Sequence, residues 1–150
     1  VPWNDRQALT DLDTPLITIQ NLEVLGEFLA LPSMQDSRGQ RRPVLLSEQG
    51  FHTKSYSPQD QTFQAASLWY AMRKIRSFPW IESFHYHRWI DHPDEGGLLL
   101  GLRTLPDADH PHGQRKRAWE VYRAIGTSEE AAIVDSLPQP PTSAAATNAP

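Results

Sequence analysis

The order of apolar segments from Pro43 onward constrains the fold more than any other feature of this sequence. Residues 44–47 form a short apolar run that predicts a strand buried on both faces. Residues 81–90 are rich in aromatic and β-branched residues and predict a second strand. A helical segment lies between them. Because short buried strands that alternate with helices form parallel sheets with right-handed crossovers, the sequence predicts an α/β fold.

Three segments have the pattern of amphipathic helices. Residues 22–31 repeat leucines at helical spacing, and Asn21 before them suits an N-cap. The clearest helix begins after Ser57, its N-cap, with Pro58 at the first helical position. Its predicted apolar face comprises Ala65, Leu68, Trp69, Met72 and Ile75, while Gln61, Gln64 and Lys74 lie outside that face.

The last predicted helix covers residues 114–126 and stops at Gly126. Ala118, Val121, Tyr122 and Ile125 share its apolar face. Beyond it, residues 136–150 contain four prolines and no charged or aromatic residue. We therefore expect one domain over residues 1–126 and a disordered tail, rich in Ala, Pro and Ser, over residues 127–150.

Composition excludes several classes of function. The net charge is −4, and the basic clusters at residues 38–42, 73–76 and 115–117 are small and separate, which argues against a nucleic-acid partner. The absence of cysteine removes disulfides, thiolate catalysis and zinc–thiolate sites. No apolar run approaches the roughly 20 residues of a membrane span.

The predicted strand ends carry polar and aromatic residues. Glu48 follows the first strand, and alternation puts it on the face of Val44 and Leu46. On the second strand, His85, His87 and Trp89 share one face with Ser83. Since sites in α/β folds lie at the carboxyl ends of parallel strands, these groups are expected to converge at one mouth.

Two other interpretations stay open at this point. A glutamate after a strand commonly caps a helix or faces solvent, although here Ser57 already supplies the cap. His85 and His87 could instead bind a metal as an H-x-H pair, with Asp91 or His92 as a further ligand.

The sequence resembles the C-terminal part of a (β/α)8-barrel glycoside hydrolase of clan A, the retaining enzymes with two catalytic glutamates. More closely, it is similar to an uncharacterised bacterial family, catalogued as a domain of unknown function, that shares this barrel. The similarity covers roughly residues 14–127. The matching residues are Glu48-Gln49-Gly50 in "PVLLSEQGFHT", Trp89 and Gly101-Leu102 in "SFHYHRWIDHPDEGGLLLGLRT", and Lys116 in "KRAWEVYRAIGT".

This resemblance implies the last two strand–helix units of a TIM barrel, together with the preceding helix. It implies that Glu48 is the nucleophile and that Trp89 forms the floor of a sugar site, with no cofactor. The substrate would be a polysaccharide or an oligosaccharide. The other substrate-binding residues would be His85, His87, His52, Gln49 and Arg88.

In the resembling enzymes the acid/base glutamate ends the fourth strand, and no residue here matches it. The expectation is therefore a fragment of a longer protein, inactive alone, whose N-terminal barrel portion lies elsewhere. A secreted or periplasmic bacterial protein is favoured by the resemblance. The alternatives are a non-catalytic carbohydrate-binding barrel and a metal-dependent hydrolase that uses His85 and His87.

Overall fold

The computed structural model describes residues 2–139 of the chain as a mixed α/β fold. In chain order its elements are α1 (Leu22–Ala30), a 3₁₀ turn (Pro32–Met34), β1 (Val44–Gln49), α2 (Pro58–Ile75), β2 (Ile81–Tyr86), α3 (Arg117–Ala124) and α4 (Glu130–Val134). The chain divides into two compact units. Among the described residues, the first unit comprises 2–49 and Ala71–Tyr86, and the second comprises Gly50–Tyr70 and 87–139.

The two strands lie side by side in the first unit and run parallel, as the sequence predicts. Leu46 pairs with Phe84 and Gln49 pairs with Tyr86, so β1 has one residue more than β2 between these pairs. Such a bulge breaks the alternation of side chains along the strand. The alternation from which Glu48 was predicted to share the face of Leu46 is therefore interrupted between Leu46 and Gln49.

The prediction that β1 is buried on both faces is wrong. Val44 and Leu46 are half-buried, whereas Leu45 is 62% exposed. Within residues 2–139 the sheet has two strands, and so narrow a sheet offers few cross-strand neighbours to cover its residues.

Helix α1 matches its prediction closely and buries Leu22 and Val24 in the first unit. Asn21 precedes it but makes no capping hydrogen bond. Its amide group instead accepts a bond from the Thr18 N–H (2.7 Å) and donates to the carbonyl of Leu9 (2.7 Å). Asn21 is buried because it fastens the irregular N-terminal segment to the start of the helix.

Helix α2 begins as predicted, since the Ser57 hydroxyl accepts a hydrogen bond from the Asp60 N–H (3.2 Å). Ala65, Leu68 and Trp69 are buried. Gln64 was expected to lie outside the apolar face, but it is only 1% exposed. None of the helices within residues 2–139 combines the length and the hydropathy needed to cross a bilayer.

Helix α3 buries Ala118 and Val121 as predicted, but Tyr122 is 40% exposed. The chain leaves the helix through Gly126, whose φ of +79° suits glycine. The segment predicted to be disordered begins at residue 127, yet it contains α4 and the buried Leu137. The burial of Leu137 was not apparent from composition alone, and residues 140–150 lie outside the described residues.

Gly26 has a steric reason to be glycine in the middle of α1. A β-carbon there would lie 2.9 Å from Cζ2 of Trp80, and both residues belong to the first unit. The Trp80 ring has little freedom to move, because Phe78 packs against it (5.1 Å between centroids) and the Arg41 guanidinium lies over it (5.7 Å).

We expect Gly26→Ala to lower the free energy of unfolding by about 1–2 kcal/mol, because overpacking outweighs the gain of about 1 kcal/mol in helix propensity. Urea denaturation followed by circular dichroism measures the change. In a Trp80→Leu background the same substitution should become neutral or stabilising. A stabilising Gly26→Ala in the wild-type background would contradict the close contact.

Candidate active site

Glu48 and Gln49 lie at the carboxyl end of β1. Glu48 is exposed, and Gln49 is half-buried and pairs with Tyr86 of β2. The next residue, Gly50, begins the second unit and has a steric role there. A β-carbon on Gly50 would lie 2.0 Å from the carbonyl oxygen of His87, so only glycine allows the two backbones to approach this closely.

Strand β2 ends at Tyr86, four residues earlier than predicted. His85 remains on the strand and is exposed. His87 and Trp89 follow the strand and belong to the second unit, so the shared strand face that was predicted for the three residues does not exist. After Tyr86 the backbone hydrogen bonds go to a distant loop instead, since the Leu102 N–H donates to the Arg88 carbonyl (3.0 Å).

Within the second unit, His87 and Arg88 converge on Glu95. One carboxylate oxygen of Glu95 pairs with the Arg88 guanidinium and lies 3.3 Å from Nε2 of His87. The hydrogen bond from Arg88, aided by His87, lowers the pKa of Glu95 from its ordinary value of 4.5. A carboxyl group held in its charged form is a poor donor of protons at neutral pH, so Glu95 does not suit a general-acid role.

Trp89 presents its indole to solvent and is 53% exposed. Its ring meets the edge of Trp119 on α3, with 5.4 Å between centroids and 65° between planes. The Arg115 guanidinium lies 5.1 Å from the Trp119 ring. The Trp89 backbone is held as well, because the Arg103 N–H donates to its carbonyl (3.1 Å). An exposed aromatic platform thus rests on an ordered support.

His52, the remaining predicted binding residue, is exposed in the second unit. Its Nδ1 accepts a hydrogen bond from the Leu99 N–H (2.9 Å). The neighbouring Thr53 pairs with Leu99 in an antiparallel bridge. In this structure His52 therefore holds the loop that contains Leu99, and part of the imidazole ring of His52 is exposed to solvent.

Asp91 and Lys116 form a fully buried ion pair, with Nζ 3.0 Å and 2.9 Å from the two carboxylate oxygens. The carboxylate also accepts bonds from the Gly101 N–H (2.6 Å) and the Tyr56 hydroxyl (3.0 Å). Lys116 donates to the carbonyl of Leu99 as well (3.3 Å). This network satisfies both charges, as a buried pair requires.

Burial shifts the pKa values of two members of this network. It lowers the pKa of Lys116 below the ordinary 10.5, although the hydrogen bond with Asp91 opposes the shift. Burial also raises the pKa of Tyr56 above the ordinary 10.0, and the bond to Asp91 adds to this rise. Tyr56 therefore stays protonated and remains a hydrogen-bond donor to the carboxylate at neutral pH.

Gln64 is a second buried polar residue with a central position. Its side-chain amide donates to the carbonyls of Phe51 (2.8 Å) and Gly101 (3.2 Å), with further contacts at 3.3 Å to those of Leu99 and Leu100. The Gln64 amide thus hydrogen-bonds successive carbonyls of the loop that follows Trp89. Sequence reasoning missed it because a glutamine beside an apolar stripe is ordinarily a solvent-facing residue.

A sequence model of one family matches residues 1–139. The chain belongs to DUF5722, a family of unknown function. Neither the curated proteins nor the solved structures include a match to the chain. The match agrees with the resemblance to a domain of unknown function, and it establishes membership of the family alone.

The metal-site interpretation of this DUF5722 chain named Asp91 or His92 as the further ligand. The carboxylate oxygens of Asp91 already accept hydrogen bonds from Lys116, Tyr56 and Gly101. Across residues 2–139 no three side chains of His, Cys, Asp or Glu gather closely enough to hold a metal ion.

The lowered pKa of Glu95 gives a prediction for acid pH. A carboxylate whose pKa is lower in the folded state stabilises the fold above its unfolded pKa, and this contribution is lost as the pH falls through the folded pKa. We expect Glu95→Gln to destabilise the protein at pH 6 and to have no effect well below the ordinary pKa of 4.5. Urea denaturation between pH 6 and pH 3 measures the difference.

Glu27→Gln, which removes one exposed carboxylate from α1, is the control for the general effect of charge on stability. A difference between Glu95→Gln and wild type that grows as the pH falls would contradict the pairing of Glu95 with Arg88 and His87.

Proposed function

We propose that this DUF5722 chain supplies the nucleophile side of a retaining glycosidase site, with Glu48 as the nucleophile. The observation that carries the proposal is an exposed glutamate at the carboxyl end of a parallel strand, two residues before Gly50, a position that has no room for a β-carbon. Sites of α/β proteins lie at such strand ends. The resemblance to clan A hydrolases supports the same residue.

The proposal includes a (β/α)8 barrel in which β1 and β2 are the seventh and eighth strands. Retaining hydrolysis requires a charged carboxylate below the anomeric carbon and a protonated acid about 5–5.5 Å away. The lowered pKa of Glu95 does not favour the second role. On the resemblance to clan A hydrolases, we assign the acid/base to the fourth strand of the barrel, in polypeptide other than these 150 residues.

Trp89 is the proposed floor of the sugar site. Its exposed indole has the shape to stack on the apolar face of a pyranose, and its support by Trp119 fixes it before the substrate arrives. Beside it in sequence, His87 and Arg88 have polar atoms that can bond sugar hydroxyls, and Glu95 orients both side chains. His85, His52 and Gln49 complete the proposed binding residues.

In the protein that carries this chain together with its acid/base carboxylate, we expect Glu48→Gln to reduce turnover of an activated aryl glycoside by at least ~100-fold. The fold should survive, since glutamine is nearly isosteric and Glu48 is exposed. The matched control is Glu82→Gln, which makes the same change at an exposed glutamate near the amino end of β2. Unchanged turnover in Glu48→Gln would overturn the assignment.

The smaller Glu48→Ala variant gives a second, stereochemical test, because it leaves room for azide. If Glu48 is the nucleophile, azide should restore turnover and give a glycosyl azide of inverted configuration. A product of retained configuration would make Glu48 the acid/base instead, since the nucleophile would then still be present.

A second function, carbohydrate binding without cleavage, is favoured by one specific observation. The Trp89 indole is exposed and packs against Trp119, and neither feature depends on the presence of two catalytic carboxylates. A fold of this kind can bind a glycan and leave it intact. Glu48→Gln distinguishes the two functions. A glycosidase should lose turnover in this variant, whereas a binding module has no turnover in the wild type and should keep its affinity for the glycan.

For either function we expect Trp89→Ala to weaken oligosaccharide binding by about tenfold, equivalent to ~1.4 kcal/mol. Titration calorimetry with gluco-, xylo- and manno-oligosaccharides measures this affinity. Tyr122→Ala, which removes another exposed aromatic ring from the same unit, is the control and should bind as the wild type does. Equal affinities for the Trp89→Ala variant and the wild type would exclude Trp89 from the site.

A further inference from the structure

We propose that Asp91 and Lys116 are positioning residues that hold Trp89 against Trp119 in the orientation that a sugar ring requires. This inference rests on the proposed carbohydrate site. It concerns residues that would not touch the sugar, since both side chains of the pair are fully buried.

The places of the pair in the chain connect it to both indoles. Asp91 follows Trp89 by two residues, and Lys116 precedes Trp119 by three. The ion pair therefore joins the segment that carries one indole to the start of the helix that carries the other. The first turn of α3 transmits this position, because the Trp119 N–H donates to the Lys116 carbonyl (3.0 Å).

Backbone hydrogen bonds stiffen the Trp89 side of the link. The Asp91 N–H donates to the Arg103 carbonyl (3.0 Å), and the Arg103 N–H donates back to the Trp89 carbonyl (3.1 Å). The Lys116 N–H donates to the carbonyl of Leu102 (2.9 Å), which follows Gly101 in the same loop. Both charged residues are thus tied to one short loop, and a shift of either would displace an indole.

Stability alone does not account for a pair of this kind. Removing two charges from water costs free energy that their attraction offsets only in part. Apolar residues of equal volume in place of such a pair commonly give a fold that is at least as stable. Tyr56 and Gly101 are nevertheless both committed to the carboxylate. Hydrogen bonds fix direction in a way that apolar contacts do not, which is what a platform for stacking needs.

The test is the double variant Asp91→Asn/Lys116→Met, which keeps both volumes and leaves no unpaired charge. Acrylamide quenching of Trp89 fluorescence is the first readout, taken as the difference between each protein and its Trp89→Phe counterpart. Binding of gluco-, xylo- and manno-oligosaccharides is the second. Circular dichroism and urea denaturation show whether the fold persists.

We expect the double variant to remain folded and the quenching constant of Trp89 to rise by up to about twofold, since the ring is 53% exposed and would lose the cover of Trp119. Sugar affinity should fall by about tenfold. The matched control is Glu120→Gln/Arg123→Met, which removes an exposed pair of the same charges from α3 together with the bond from Arg123 to Glu129. The control should change neither readout.

If the double variant is folded and Trp89 is quenched as in the wild type, the positioning role is overturned. If the quenching changes but no oligosaccharide binds even to the wild type, the proposed carbohydrate site fails and the positioning of Trp89 stands. If the double variant does not fold, Asp91→Asn decides, because it removes the ion pair and keeps an oxygen that can accept a hydrogen bond from Lys116. Wild-type quenching in folded Asp91→Asn would then overturn the proposal.

Discussion

The second unit depends on one buried carboxylate, that of Asp91. A charge removed from water must find several donors, and Asp91 finds them in Lys116, Tyr56 and Gly101. These three residues come from the segment before α2, from the loop after Trp89 and from the start of α3. Because no single element can satisfy the carboxylate, its burial requires all three segments to be in place at once.

Local sequence signals predicted the elements well, and they failed where partners are distant in the chain. The cap at Ser57 and the stop at Gly126 act within one helical turn, so the sequence reveals them directly. The end of β2 has no such signal. Residues after Tyr86 are as aromatic as those before it, but the hydrogen bonds of Arg88 and Trp89 go to a loop more than ten residues away.

The same limit applies to the candidate site. Glu48 and Trp89 were singled out from the sequence because an acid follows the first predicted strand and an indole lies near the end of the second. Lys116 was noticed only through resemblance, and Gln64 was assigned to the solvent face of α2. A hydrophobic pattern counts both residues as polar and therefore exposed, yet each is only 1% exposed. The hydrogen-bond partners that allow this burial lie 13–37 residues away in the chain, where a local pattern does not reveal them. Buried polar residues of this kind are decided by tertiary structure.

The acids Glu48, Asp91 and Glu95 differ in environment, and this difference is the strongest physical reason to choose among them as candidate nucleophiles. Asp91 is buried and fully bonded within the protein, which leaves it no access to a substrate. Glu95 is held by Arg88 and His87, and its lowered pKa favours a charge that orients neighbours. Glu48 alone of these three combines exposure with the end of a parallel strand. Since environment separates the roles of carboxylates of the same type, a nucleophile is best sought at Glu48.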